Sequence, residues 1–119
     1  MTRAELELEF AGATIERAKS ELELSGPEIG HALGVDPKTV YRWLHGESVP
    51  APEQRRRMEQ LNHLQWLLAN AFRTLDVGKR WLHQPVPGLR GRTPFATLAE
   101  GDLDSVIRVL ATHVAGAHV

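Results

Sequence analysis

The chain has 119 residues, a formal net charge of −1 and no cysteine. That length admits one compact core or two small units sharing a boundary helix, while the missing cysteine excludes disulfides and thiolate metal sites. No apolar run reaches the roughly 20 residues that cross a bilayer, and MTRAELELEF lacks the apolar stretch of a signal peptide, so a soluble, cytoplasmic protein is expected.

In chain order, a first helix is expected over Ala13 to Leu24, entered near Thr14. Ser25, with Glu28 three residues on and Pro27 in the first turn, opens a short helix PEIGHAL that stops at Gly34. Asp36 caps a third helix, which Gly46 ends. After ESVPAP a long amphipathic helix runs from near Pro52 to about Arg73, its stripe Met58, Leu61, Leu64, Leu68, Phe72 and Leu75 stepping by three and four. Thr74 caps LDVGKRWLH, and the loop QPVPGLRGR interrupts the helices with prolines and glycines. Thr93-Pro94 starts a short helix ending around Gly101. Asp102 caps the last one, with the stripe Leu103, Val106, Ile107, Leu110 and Val114, and the tail AGAHV shows no periodicity. Nothing reads as strand, so the fold class is all-α.

Charge is unevenly spread. Residues 1–37 hold three basic and eight acidic side chains, whereas residues 38–57 hold five basic and two acidic. A locally basic stretch in a near-neutral chain suits a small DNA-contact surface. The same stretch lies in a helix–turn–helix pattern. Ile29, Leu33, Val35, Val40 and Trp43 supply its apolar positions, Gly30 a close helix crossing, and Gly34 the positive backbone dihedral of the turn. The third helix would then enter the major groove. On it Lys38 and Arg42 suit guanine edges or phosphates, and Thr39 and Tyr41 suit bases or sugar–phosphate oxygens. His45, Arg55 and Arg56 suit phosphate. Trp43 shares its face with Val40 and is expected in the core.

The second half carries no catalytic motif. None of the six histidines falls in a metal-ligand spacing, and there is neither a nucleophile elbow nor a glycine-rich phosphate loop. No enzyme activity, cofactor or metal is expected. Trp66 lies nearly opposite the Leu61/Leu64/Leu68 stripe, and a helix apolar on both faces is expected to be buried between two layers. The alternative is an exposed Trp66 at a dimer or partner interface.

The segments WLHQP, GLRGRTPFATLAEGD and VIRVLATHVAGAHV resemble the C-terminal toxin-binding module of the Xre–MbcA–ParS antitoxins. The matching positions are Trp81, Leu82, Pro85, Gly91, Thr93, Pro94, Leu98, Gly101, Val106 and Leu110; Val86 stands where the pattern has asparagine. The resemblance implies an Xre-like helix–turn–helix bundle over residues 1–57, joined through the long helix to a small helical toxin-binding unit over residues 58–119. It also implies a partner toxin with a RES domain that degrades NAD, toxin contacts through Trp81 and Pro85, and a tail that blocks the toxin's active site. Carried onto this chain, that tail is Ala115, Gly116, Ala117, His118 and Val119. The expected function is therefore a type II antitoxin that inhibits its toxin and represses its own operon. A homodimer within a larger complex would match a palindromic operator. The alternative is a stand-alone helix–turn–helix repressor whose second half dimerises or senses a ligand.

Overall fold

Cap residues and glycines set the ends of nearly every helix. The computed structural model describes residues 1–117, and all regular structure among them is helical. The α-helices are α1 (Arg3–Glu21), α2 (Gly26–Leu33), α3 (Pro37–Leu44), α4 (Pro52–Ala71), α5 (Leu75–Leu82), α6 (Pro94–Ala99) and α7 (Leu103–Ala117). A 3-10 turn at Pro87–Leu89 lies between α5 and α6.

The anticipated caps form. Ser25 and Glu28 make a reciprocal capping box, with the Glu28 amide donating to Ser25 Oγ at 3.2 Å and the Ser25 amide to Glu28 Oε1 at 2.8 Å. Asp36, Thr74, Thr93 and Asp102 each accept an amide hydrogen bond from the residue three positions on. Gly34 adopts φ 74°. A Cβ at Gly30 would stand 2.7 Å from the Val35 carbonyl oxygen, so the turn folds back on a backbone with no room for a side chain.

The start of α1 corrects the sequence reading. The helix begins at Arg3, capped by Thr2, ten residues before the expected entry at Ala13. Thr14 is no cap. It is buried inside the helix, its hydroxyl donating to the Phe10 carbonyl at 2.8 Å and accepting from Asn62 Nδ2 at 2.9 Å. The alternating ELELEF stretch hides this start because its leucines do not step by three and four. Leu6 is exposed, and the core face begins only with Phe10, Ala11, Thr14, Ile15 and Ala18.

One hydrophobic core runs through both halves. Ile15, Leu22, Ile29, Leu33, Val40 and Trp43 join Met58, Leu61, Leu64, Leu82, Leu98, Val106 and Leu110 in it. Trp43 is fully buried. Helix α4 packs on α1 along one side and on α7 along another. The α1 side is also polar: Arg17 donates to Asn62 Oδ1 at 2.6 Å and to Gln65 Oε1 at 3.3 Å.

Trp66 departs from the expected burial between layers. It is 58% exposed, its ring parallel to that of His63 at 6.3 Å. Glu59, His63, Trp66 and Asn70, spaced by four and three, make one outward stripe that neither α1 nor α7 covers. Leu75 is likewise 44% exposed, because it opens α5 instead of extending the α4 stripe.

The two halves also meet at a second seam. His31 on α2 donates from Nδ1 to the Ala99 carbonyl at 3.1 Å. Behind it Gly101 turns at φ 90°, and a Cβ there would lie 2.8 Å from the His31 carbonyl oxygen.

Candidate functional site

Two surfaces carry the sequence-predicted residues. The first is the outward side of α3, where Lys38, Tyr41, Arg42 and His45 are exposed and Thr39 is half-buried. Val40 and Trp43 face inward, which fixes the roll of the helix. Thr39 is tied to the cap, its amide and hydroxyl both donating to Asp36 Oδ1 at 2.8 and 3.0 Å. Those bonds hold the Asp36 carboxyl below the ordinary carboxylate range, with Arg42 and Lys38 adding to the effect. The Tyr41 and His45 rings lie 4.0 Å apart, and His45 Nδ1 donates to the Tyr41 carbonyl at 2.9 Å. Lys38 and Arg42 form no ion pair among the described residues. They are cations available to an outside acceptor.

Arg55 and Arg56 stand differently. Arg55 ties α4 to α1, reaching Glu7 at 2.9 Å and Glu59 at 2.6 Å with its guanidinium 3.6 Å from the Phe10 ring centroid. Arg56 holds Glu53 through bonds of 2.7 and 3.2 Å, which keeps the Glu53 carboxyl low and the guanidinium firmly protonated. Part of this was open to reading: Glu53/Arg56 and Arg55/Glu59 have the spacing of helical ion pairs. Glu7, 48 residues away, gave no such signal.

The second surface lies on α5, the 86–92 loop and α7. Trp81 is half-buried, its ring 5.4 Å from Phe72, which in turn lies 5.1 Å from His113. Pro85 is exposed at the start of a loop closed on itself by Val86 N–H to Arg92 O at 3.0 Å and Gly91 N–H to Val86 O at 3.1 Å. Val109, Thr112, His113 and Gly116 line an open, mainly apolar groove with Gly88, where the 3-10 turn packs on α7. A Cβ at Gly88 would come within 3.1 Å of Val109 Cγ2.

Sequence reasoning missed Val109, Thr112 and His113. Their spacing of i, i+3, i+4 and i+7 with Gly116 was a legible signal, masked by the stronger core stripe beside it. The C-terminal tail also needs correcting, because α7 continues to Ala117. Ala115, Gly116 and Ala117 thus belong to its last turn: the alanines are strong helix formers that carry the helix across Gly116. His118 and Val119 lie outside the described residues. Among the described residues no helix is long and apolar enough to cross a membrane, and no cluster of three or more His, Asp or Glu forms a metal site.

Residues 67–114 match the family model of the antitoxin Xre/MbcA/ParS C-terminal toxin-binding domain. The mycobacterial cidal antitoxins MbcA of Mycobacterium bovis and Mycobacterium tuberculosis are 25% identical to this chain over 107 residues, covering 90% of it and 94% of theirs. A chain in the crystal structure of the M. tuberculosis MbcT–MbcA toxin–antitoxin complex superimposes with a TM-score of 0.62 at 25% identity, covering 91% of this chain and 96% of that one.

Proposed function

With residues 67–114 belonging to the Xre/MbcA/ParS C-terminal toxin-binding family, we propose that this chain is the antitoxin of a type II toxin–antitoxin pair. The observation that carries the proposal is similarity to MbcA along 90% of the chain, through both halves and not the matched domain alone. The partner is a RES-domain toxin that degrades NAD, as the family resemblance implies. The antitoxin acts by occupying a surface, so it needs neither cofactor nor catalytic residue.

On this reading the labour divides near residue 57. In the second half, Val109, Thr112, His113 and Gly116 seat the toxin, backed by the Phe72–Trp81–His113 ring cluster and flanked by Pro85. Burying an apolar groove whose rings are already packed loses little side-chain freedom, which favours tight binding. Gly116 and Ala117 lead toward His118 and Val119, which reach the toxin's active-site cleft and exclude its substrate.

In the first half α3 enters the major groove. Lys38 and Arg42 donate to guanine O6 and N7, and Thr39 and Tyr41 contact bases or backbone. His45 and Arg56 meet phosphate, Arg56 by exchanging Glu53 for it, while Arg55 secures α1 to α4 behind the interface. A homodimer presenting two α3 helices one DNA turn apart, about 34 Å, offsets the few free cations of each copy. The protein works in the cytoplasm, where both NAD and the operator are.

Co-expression with the product of the adjacent gene, followed by co-purification and an NAD-consumption assay, tests the proposal. A complex silent toward NAD, and active once the antitoxin is removed, is the expected result. Removing residues 115–119 should restore NAD consumption while leaving the antitoxin folded; full inhibition by the shortened chain overturns tail blocking. No complex, with operator binding intact, would leave a stand-alone repressor.

A further inference from the structure

A second pocket, which shares Gly88 with the apolar groove, lies between the 86–92 loop, α6 and the first turns of α7. Its volume is about 260 Å³, and Arg90, Arg92, Arg108, Thr97, Asp102 and Ser105 line it together with Gly88 and Leu89. A single water needs only about 10–15 Å³ of such space, so a polyatomic group fits. Three arginines and one aspartate, Asp102, share this lining.

That carboxylate is already occupied. Asp102 accepts from the Ser105 amide at 3.1 Å through Oδ1 and from the Ser105 hydroxyl at 2.7 Å through Oδ2. These bonds, with smaller contributions from Arg108 and Arg92, hold its carboxyl below the usual range. Arg92 pairs with Glu100 at the rim. Arg90 and Arg108 form no ion pair among the described residues. Two exposed arginines therefore border a polar hollow with donor capacity unspent.

The backbone at Arg90 adds a second observation. It sits at φ 61°, a left-handed conformation that an arginine adopts at a cost and a glycine adopts freely. Gly91 follows at φ 76°. Glu23 is the other described non-glycine residue with such a φ. At Arg90 the left-handed turn caps the 3-10 helix, its N–H donating to the Pro87 carbonyl, in the loop whose Arg90 and Arg92 line the pocket.

We propose that this pocket binds a small oxyanion of the phosphate class, a phosphate ion or a phosphomonoester, held chiefly by Arg90 and Arg108. Guanidinium groups present paired N–H donors to two oxygens of one tetrahedral anion, a match that chloride cannot offer. The bound anion crosslinks the loop to α7, one turn of helix beneath the Val109–Gly116 groove.

The test titrates the full chain with inorganic phosphate, and separately with a phosphomonoester, at constant ionic strength, following amide and guanidinium NMR shifts. Saturable shifts confined to residues 88–92 and 102–108 are expected, with no equivalent from chloride. Saturation by phosphate alone would identify an ion site; tighter saturation by the ester would identify a phosphomonoester site. Arg108→Gln and Arg90→Gly should each weaken binding by about tenfold or more, and Arg73→Gln, on an exposed arginine outside the pocket, should not. Arg90→Gly should leave the melting temperature unchanged or raise it, since glycine relieves the left-handed backbone, so its loss of binding is not unfolding. Shifts that fail to saturate, that chloride reproduces, or that survive both variants overturn the proposal. So does absence of phosphate binding with an Arg108→Gln chain that binds its toxin poorly, which would assign the pocket to a carboxylate of the partner.

Discussion

Helices α3 and α7 are both amphipathic, and both bury one face in the same core, yet they offer opposite outer faces. That of α3 is cationic and polar: Lys38, Tyr41, Arg42 and His45 stand out from a helix of 8 residues anchored by Val40 and Trp43. That of α7 is mainly apolar, with Val109, Thr112, His113 and Gly116 along a helix of 15 residues. A charged face keeps its water until a polyanion displaces it together with counterions. An apolar face gains by losing water to a close-fitting protein surface. One fold thus presents two surfaces suited to unlike partners, and the core beneath decides how far they can be separated.

The largest effect is expected at the anchor of α3. Trp43→Ala should cost about 3–5 kcal/mol of stability, read from denaturant unfolding. Since the core is continuous, fluorescence from Trp66 and Trp81 should report the same shifted midpoint as far-ultraviolet circular dichroism. Separate transitions would break the comparison by showing that the two faces rest on independent units. Gly101→Ala comes next, at about 1–3 kcal/mol, because a left-handed residue would acquire a Cβ against the His31 carbonyl. Both partner activities should weaken together in that variant.

Single-face substitutions sharpen the contrast. Val109→Asp should weaken toxin binding by about 2 kcal/mol or more in calorimetry, with operator affinity unchanged. Arg42→Ala should cost about 1–3 kcal/mol against its operator at fixed salt and leave the toxin complex intact. A variant that alters both readouts equally would show that the surfaces overlap. The smallest effect is with pH. Asp36 and Asp102, the caps of α3 and α7, both have carboxyls lowered by folding. Their contribution is present above the unfolded carboxylate range and is lost as pH falls through the lower folded values. Stability should therefore decline in the acid range below about pH 4, and Asp36→Asn should flatten the slope, since asparagine caps without titrating.

Much of this was legible in the chain because local chemistry marks helix ends strongly. Ser25/Glu28, Asp36, Thr74, Thr93 and Asp102 are caps whose hydrogen bonds span three residues, and the apolar stripe of α4 steps with the helix. What escaped reading depended on distance or competition. Thr14 looked like a cap because its partner Asn62 is remote in sequence, and Trp66 looked buried because periodicity cannot say how many neighbours a helix has. The groove on α7 was hidden by a stronger stripe on the same helix. The arginine-lined pocket needed the loop folded back before Arg90 and Arg108 could line one hollow.

Helix α4 has a consequence for the life of the molecule. It runs uninterrupted for 20 residues between the α3 and α7 surfaces, with Met58, Leu61, Leu64, Leu67 and Leu68 buried in the shared core. A protease must draw an extended strand into its cleft, and this junction offers none until the helix itself unravels. Cleavage there waits on opening of the shared core, so the α3 and α7 surfaces would be lost in one event and share a single half-life.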